Sequence, residues 1–397
     1  MGQAGTSRRG PRTGLLVLTL GVSALALAGA TLALGLARLN AEEPPVLSAQ
    51  SGAAERAAAA ADARSLLLRE PLSARAYSRL GQISVLDGDK EQADLLMQAA
   101  ARRSLRDGPS QVWIFARALE RGDHKAATQA FDILMRRRPD LFDTLAPAAM
   151  AVLDQSPDAR AAMAERLALE PAWRGRFFAA YVQKAATAQH AYDVFQQLRR
   201  TPAPPSDAEM RSYIDRLLGE RAYVAAYVAW AQHRSLQDAA DDGVRDGGFE
   251  EEPALPPFGW TFKVADGAAA QRGPAADGTG WVLQASAAGG LSRRALAEQM
   301  MVLSPGVYQL SGRAWTRAGD PESRFVWSIK CVAGNERAAM TESRSSSGRW
   351  RTFAVDFEIP ATGCDAQMLA LQTRPGASLA PVEVDYDQLA VARKEAR

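Results

Sequence analysis

The sequence predicts a multidomain chain, helical first and β second, behind one apolar segment near its start. Three observations predict it. Residues 14–37 hold no charge, apolar residues recur at spacings of three and four from about residue 65 to 237, and from Trp281 onward short alternating runs are separated by turn residues. The expected division is a tail over 1–13, a transmembrane helix over 14–37, an alanine-rich spacer over 38–64, a helical array over 65–237, a linker over 238–248 and an antiparallel β-sandwich over 249–393.

The apolar run, Gly14 to Ala37, fixes the expected compartment. At a rise of ~1.5 Å per residue a helix through it spans the ~30 Å hydrocarbon core of a bilayer, so a lipid bilayer is an expected partner. Arg8, Arg9 and Arg12 precede it with no acid among the first thirteen residues, and Glu42 and Glu43 follow. The positive-inside bias keeps the N-terminus cytoplasmic and exports the remainder. The run exceeds the apolar core of a cleaved signal peptide, which favours a retained anchor, although Ala28-Gly29-Ala30 and Leu39-Asn40-Ala41 offer small-residue cleavage sites. The alanine- and arginine-rich style looks bacterial, which makes the chain a single-pass inner-membrane protein with periplasmic domains.

Composition excludes some partners. A formal net charge of +2 gives no polyelectrolyte signal, and no nucleic acid is expected. His124, His190 and His233 are scattered without a second ligand at zinc spacing. The two cysteines, Cys331 and Cys364, are candidates for one disulfide in an oxidising compartment if the fold brings them within reach; the alternative is two buried thiols.

The helical region repeats. Tyr77, Leu80, Gly81, Gly88, Asp89, Ala93, Met97 and Ala100 are followed by Gly122, Asp123, Ala127, Phe131 and Pro139, with Ala93 to Ala127 and Met97 to Phe131 both 34 positions apart. A small residue lets two helices approach, a large one fills the space between them, and glycine with aspartate makes the turn. This spacing resembles the tetratricopeptide repeat, and the resemblance implies a scaffold whose surface takes up a protein partner. Arg75, Arg79, Arg102, Arg103 and Arg136 to Arg138 are candidates to attract an acidic one, against the plainer reading of a solvated helical face.

In the second region WVLQAS, GVYQLSGRAWTR, RFVWSIKCVA, WRTFAVDFEI, QMLALQTR and VEVDYDQLAV are the strand candidates. The succession GGFE, FGW, LSPGVYQLSGRAW, SGRWRTF and a terminal VDYDQLAV, over Asp246 to about Arg393, is similar to the galactose-binding-like jelly rolls found among carbohydrate-binding modules. That resemblance implies a polysaccharide ligand and a structural calcium, with Glu250 and Asp387 at the matching positions and Asp246 and Asp385 nearby; solvated acids are the alternative. It departs from the family at Asp246, where asparagine is usual.

Alternation suggests the binding face. Along the run 307–317, Gln309, Ser311, Arg313, Trp315 and Arg317 point away from the inward set. Ser328 and Lys330 oppose Phe325 and Trp327, while Gln372 and Arg374 oppose Leu369 and Leu371. With these three strands side by side, Gln309, Arg313, Trp315, Ser328, Lys330, Gln372 and Arg374 form one basic surface suited to an anionic glycan. Trp260, Trp281, Trp327 and Trp350 are expected to pack the sandwich, and Trp315 either stacks on sugar or packs on the array.

No nucleophile with a base is apparent, and the acids at 250–252 and at Asp385 and Asp387 are weak evidence for glycoside hydrolysis. The expected protein is therefore not an enzyme but a membrane-anchored envelope scaffold, with a role in exopolysaccharide assembly or export. The alternative is an adaptor whose sandwich binds no sugar.

Overall fold

The computed structural model describes residues 50–235, 243–253, 255–265, 267–288, 293–319, 325–333, 337–342, 348–374 and 380–394. The apolar run 14–37 lies outside them. Among the described residues no helix is long and apolar enough to cross a membrane. The chain divides into two compact units, Met1–Glu209 and Met210–Arg397.

The first unit is helical: α1 (Ala53–Arg69), α2 (Ala74–Leu86), α3 (Lys90–Arg103), α4 (Gly108–Arg121), α5 (His124–Arg137), a 3-10 turn (Pro139–Leu141), α6 (Phe142–Gln155), α7 (Pro157–Leu167), α8 (Arg174–Lys184), α9 (Ala188–Leu198) and the start of α10 (Asp207–Gly219). Helix starts follow their caps. The side chains of Asp89, Asp107, Asp123 and Ser156 accept the backbone N–H groups of Gln92, Ser110, Ala126 and Ala159, which satisfies donors that a helix leaves unpaired.

The 34-residue spacing is physical. Helices α2 and α4 start at 74 and 108, and α3 and α5 at 90 and 124. Gly88 and Gly122 turn with φ of 82° and 70°, a region glycine enters without steric cost. Ala93, Ala127, Met97 and Phe131 are all buried. A Cβ at Gly81 would meet the Met97 side chain at 3.0 Å, so α2 and α3 meet closely at that glycine. Further on the core is aromatic, with Phe131 edge-on to Trp173, Trp173 edge-on to Phe177, and Phe177 stacked on Tyr181.

The second unit takes the rest of α10, α11 (Tyr223–His233) and eleven strands: β1 (Thr261–Phe262), β2 (Val264–Ala265), β3 (Ala268–Pro274), β4 (Trp281–Ala287), β5 (Ala295–Met301), β6 (Gly306–Ala318), β7 (Phe325–Cys331), β8 (Arg337–Glu342), β9 (Arg351–Ile359), β10 (Gln367–Thr373) and β11 (Val382–Arg393). They form two antiparallel sheets, one ordered β1-β5-β10-β7-β8 and the other β2-β3-β4-β11-β6-β9. The core between them includes Trp260, Leu310, Phe325, Trp327, Val384 and Tyr386, with Trp260 and Tyr386 edge-on to Trp327. Sequence periodicity carries the helical array to 237, yet α11 belongs with the sandwich. Its Trp230 Nε1 donates to the Leu255 carbonyl at 2.7 Å, and Tyr227 and Trp230 pack on Phe258.

Two sequence features find their reasons here. Within GGFE, a Cβ on Gly247 would lie 1.8 Å from the Leu389 carbonyl oxygen, so only glycine lets this segment reach β11. Cys331 and Cys364 are joined in a disulfide with Cα atoms 4.9 Å apart, and Gln367, paired with Cys331 across β10 and β7, donates to the Cys364 carbonyl at 2.6 Å.

Candidate functional site

The outer face of the six-stranded sheet carries a group of interacting aromatic and charged side chains. The register sets Trp315 of β6 opposite Asp385 of β11, Asp385 opposite Gln284 of β4, and Gln284 opposite Gln271 of β3. In the next row Arg313 stands opposite Asp387 on one side and Thr352 of β9 on the other. Because successive residues alternate across a sheet, these side chains share the face turned away from the core.

Each arginine clasps an acid. Arg313 Nη2 donates to Asp387 Oδ2 at 2.6 Å, and Arg317 Nε to both Asp385 oxygens at 2.7 Å. Asp385 is fully buried and also accepts the N–H of Ala276. Burial raises its carboxyl above the ordinary value while Arg317 opposes that shift. Arg317 further donates to the Pro274 carbonyl, as does Gln284.

Over this floor lie two tryptophans. Trp350, in the segment leading into β9, packs edge-on against Trp315 with centroids 5.8 Å apart, and the Arg313 guanidinium lies 4.5 Å from the Trp350 ring centre. Trp350 Nε1 donates to Asp277 at 2.8 Å. Hydrogen bonds from Thr279 and Trp350 hold the Asp277 carboxyl down at about 2, so it is an acceptor throughout the physiological range. Both rings are partly exposed. A partly dry aromatic pair beside fixed hydrogen-bonding groups can stack on one face of a ligand and bond its polar edge.

The sequence-derived surface is corrected in three respects. First, β6 does not lie beside β7 and β10, which pair with one another in the five-stranded sheet. Ser328, Lys330, Gln372 and Arg374 therefore belong to that sheet and its flank, and Ser328 and Gln372 are buried. Second, Gln309 is on the right face but six residues from Trp315, roughly 20 Å along a strand, and donates to Asp356. Third, Trp281 and Trp350 do not pack the core: Trp281 is 41% exposed under a stacked Arg272, and Trp350 joins the site. Asp277, Gln284, Arg317 and Trp350 were absent from the expected set. Arg317 carried a signal in its alternation with Trp315, as did Gln284 and Trp350 in theirs with Leu283 and Phe353.

The four acids expected to hold calcium form no ligand set. Among the described residues no group of three or more His, Cys, Asp or Glu could hold a metal ion. Asp385 and Asp387 are each neutralised by an arginine, while Glu250 Oε1 accepts the N–H of Trp281. Asp246 caps its own turn, accepting from the N–H groups of Glu250 and Glu251.

Burial pushes the Asp246 carboxyl up to about 6 despite those bonds. A folded value above the unfolded one means that the folded chain holds more protons between pH ~4 and ~6. Its contribution to stability is complete below ~4 and is lost as pH rises through ~6. Asp246→Asn should therefore flatten the fall of the unfolding midpoint across this window, while losing one of the two backbone hydrogen bonds because an amide offers a single oxygen. Thermal unfolding at several pH values checks this; an unchanged slope would assign the dependence elsewhere.

No protein-family model matches the sequence, and no curated protein matches it. Similar solved structures include two carbohydrate-binding modules and a cyclase. One is described as "CBM4 structure and function", 15% identical with a TM-score of 0.30, covering 38% of this chain and 99% of its own. The CBM22-1 xylan-binding domain of Paenibacillus barcinonensis is 15% identical with a TM-score of 0.29, covering 40% and 98%. A Stig cyclase of Fischerella is 16% identical with a TM-score of 0.30, covering 40% and 99%.

Proposed function

We propose that the outer face of the six-stranded sheet binds a neutral polysaccharide through Trp315 and Trp350. The protein is a non-catalytic scaffold, held in a membrane by residues 14–37, whose tetratricopeptide-like array recruits a protein partner. The observation that carries the sugar reading is the partly exposed Trp315–Trp350 pair over a floor of Arg313, Asp387, Asp385 and Gln284. Pairing of both arginines with aspartates removes the net positive charge that favoured an anionic glycan, while leaving directed donors and acceptors for hydroxyls. The same pairing supports a non-catalytic role, since both carboxylates are engaged by arginine hydrogen bonds.

Affinity electrophoresis of the full chain in neutral and acidic polysaccharides tests this. Retardation is expected in a neutral glycan, and Trp315→Ala or Trp350→Ala should each weaken it about tenfold, the scale of a buried aromatic contact. Gln309→Ala should change nothing. A second reading is the adaptor without a sugar ligand, which the mutual satisfaction of Arg313, Asp387, Trp350 and Asp277 favours. Absence of retardation by folded protein across the panel would overturn the sugar reading and put the adaptor first.

A further inference from the structure

Alternate turns of the helical unit share one edge. Arg103, ending α3, lies 4.2 Å from the centre of the Tyr77 ring near the start of α2. Ser78 Oγ donates to Asp107, the N-cap of α4, and Arg176 in the first turn of α8 donates to the Pro139 carbonyl and to Asp143 at the start of α6. The turns α1–α2, α3–α4, α5–α6 and α7–α8 thus lie together. Ser156, the N-cap of α7, meets His124 at the start of α5 at 3.0 Å, which gathers the intervening turns on the opposite edge.

The first edge is both apolar and cationic. Leu72, Leu105 and Leu169, each in one of its turns, are exposed by 76%, 61% and 61%. Around them Arg69, Arg102, Arg106 and Arg137 are exposed, and the exposed acids of those turns are Glu70, Glu170 and Asp140, the last paired with Arg138. The opposite turns and the helix ends beside them carry acids and cations together, Asp87, Asp89, Asp123, Asp154 and Asp158 with Lys90, Arg121 and Lys125. The helix macrodipole accounts for arginine at a helix C-terminus. It does not account for Arg106, which precedes the cation-repelling start of α4, nor for leucines placed on turn tips where folding buries little of them.

We propose that this edge docks onto an anionic lipid surface, with the leucines entering the headgroup boundary and the arginines meeting lipid phosphates. Protruding apolar tips among cations are complementary to a soft, negatively charged surface. The tether favours the same occupant: residues 38–52, fifteen in number, separate the apolar run from α1, and extended they span at most about 50 Å. In that argument the inference rests on the anchored reading of residues 14–37.

The test uses the full chain reconstituted into vesicles, with Leu105→Cys carrying an environment-sensitive fluorophore; the native cysteines are paired and do not compete. In vesicles containing phosphatidylglycerol the emission should move to shorter wavelength and be quenched by a lipid-borne quencher. In phosphatidylcholine alone it should do neither, and a label at Lys125→Cys on the opposite edge should stay aqueous in both. Arg102→Gln, Arg106→Gln and Arg137→Gln together should weaken docking roughly a hundredfold and abolish the shift. An aqueous emission in anionic vesicles, or a shift that survives the triple substitution, overturns the proposal. Alkaline extraction run in parallel separates the two readings: release of the chain overturns the anchor alone, and docking is then read from the same label with vesicles added to the free chain.

Discussion

Arg174→Ala should destabilise the helical unit by about 3 to 5 kcal/mol, the cost of breaking a buried ion pair from one side. Arg174 and Glu209 are both buried and joined by two bonds of 2.7 and 2.8 Å. The guanidinium also donates to the carbonyls of Leu167, Ala203 and Pro204. Truncation would leave three carbonyls without this donor and Glu209 charged without its partner. Glu209 has a second task, since its carboxylate accepts the N–H of Ser206 while Ser206 Oγ accepts that of Glu209, a reciprocal cap at the start of α10. Arg174 therefore ties the α7–α8 turn to the beginning of α10. The helical transition should fall by about 10 °C or more for a unit of this size. Arg174→Met with Glu209→Leu should recover part of the loss by removing both charges, but not the three carbonyl bonds. A single variant that melts with the parent would show that water already solvates this pair.

Replacing Cys331 and Cys364 by alanine should cost the sandwich about 3 to 4 kcal/mol in the chain-entropy model, for a sequence separation of 33. The same loss is expected on reduction. The link joins the end of β7 to the approach to β10, strands already paired from Phe325 with Thr373 to Cys331 with Gln367. Its main effect is thus to limit the unfolded chain rather than to create the ladder. The sandwich transition should drop by about 10 °C with the helical transition unmoved, so calorimetry of parent, reduced and double-alanine protein separates the two units. A drop of only a degree or two would mean that the unfolded sandwich is already compact around this loop.

The strands differ in how plainly the sequence marks them, for a physical reason. Where one face is buried, alternation is plain, and the six runs chosen correspond to β4, β6, β7, β9, β10 and β11. The segments ALAEQMM and AAAQRGP gave no such signal because alanine, glutamate, glutamine and methionine favour helix. They are strands because β5 is inserted between β1 and β10, and β3 between β2 and β4, where ladder bonds outweigh local preference. Trp350 is expected in the core as a large aromatic, although the alternation of Phe353, Phe357 and Ile359 as the inward set puts it on the outer face.

What the sequence determined by itself is what short-range geometry controls. The glycine and aspartate turns, the 34-residue recurrence of Ala93 with Ala127 and Met97 with Phe131, and the common face of Arg313, Trp315 and Arg317 all follow from periods of 3.6 and 2 residues. Tertiary structure alone decided which strand lies beside which. Antiparallel pairing of β6 with β11 set Arg313 and Arg317 against Asp387 and Asp385, some 70 positions away, turning expected calcium ligands and a basic surface into a neutral floor beneath two tryptophans. Strand order depends on contacts between distant segments, and the period of a single strand carries no record of them.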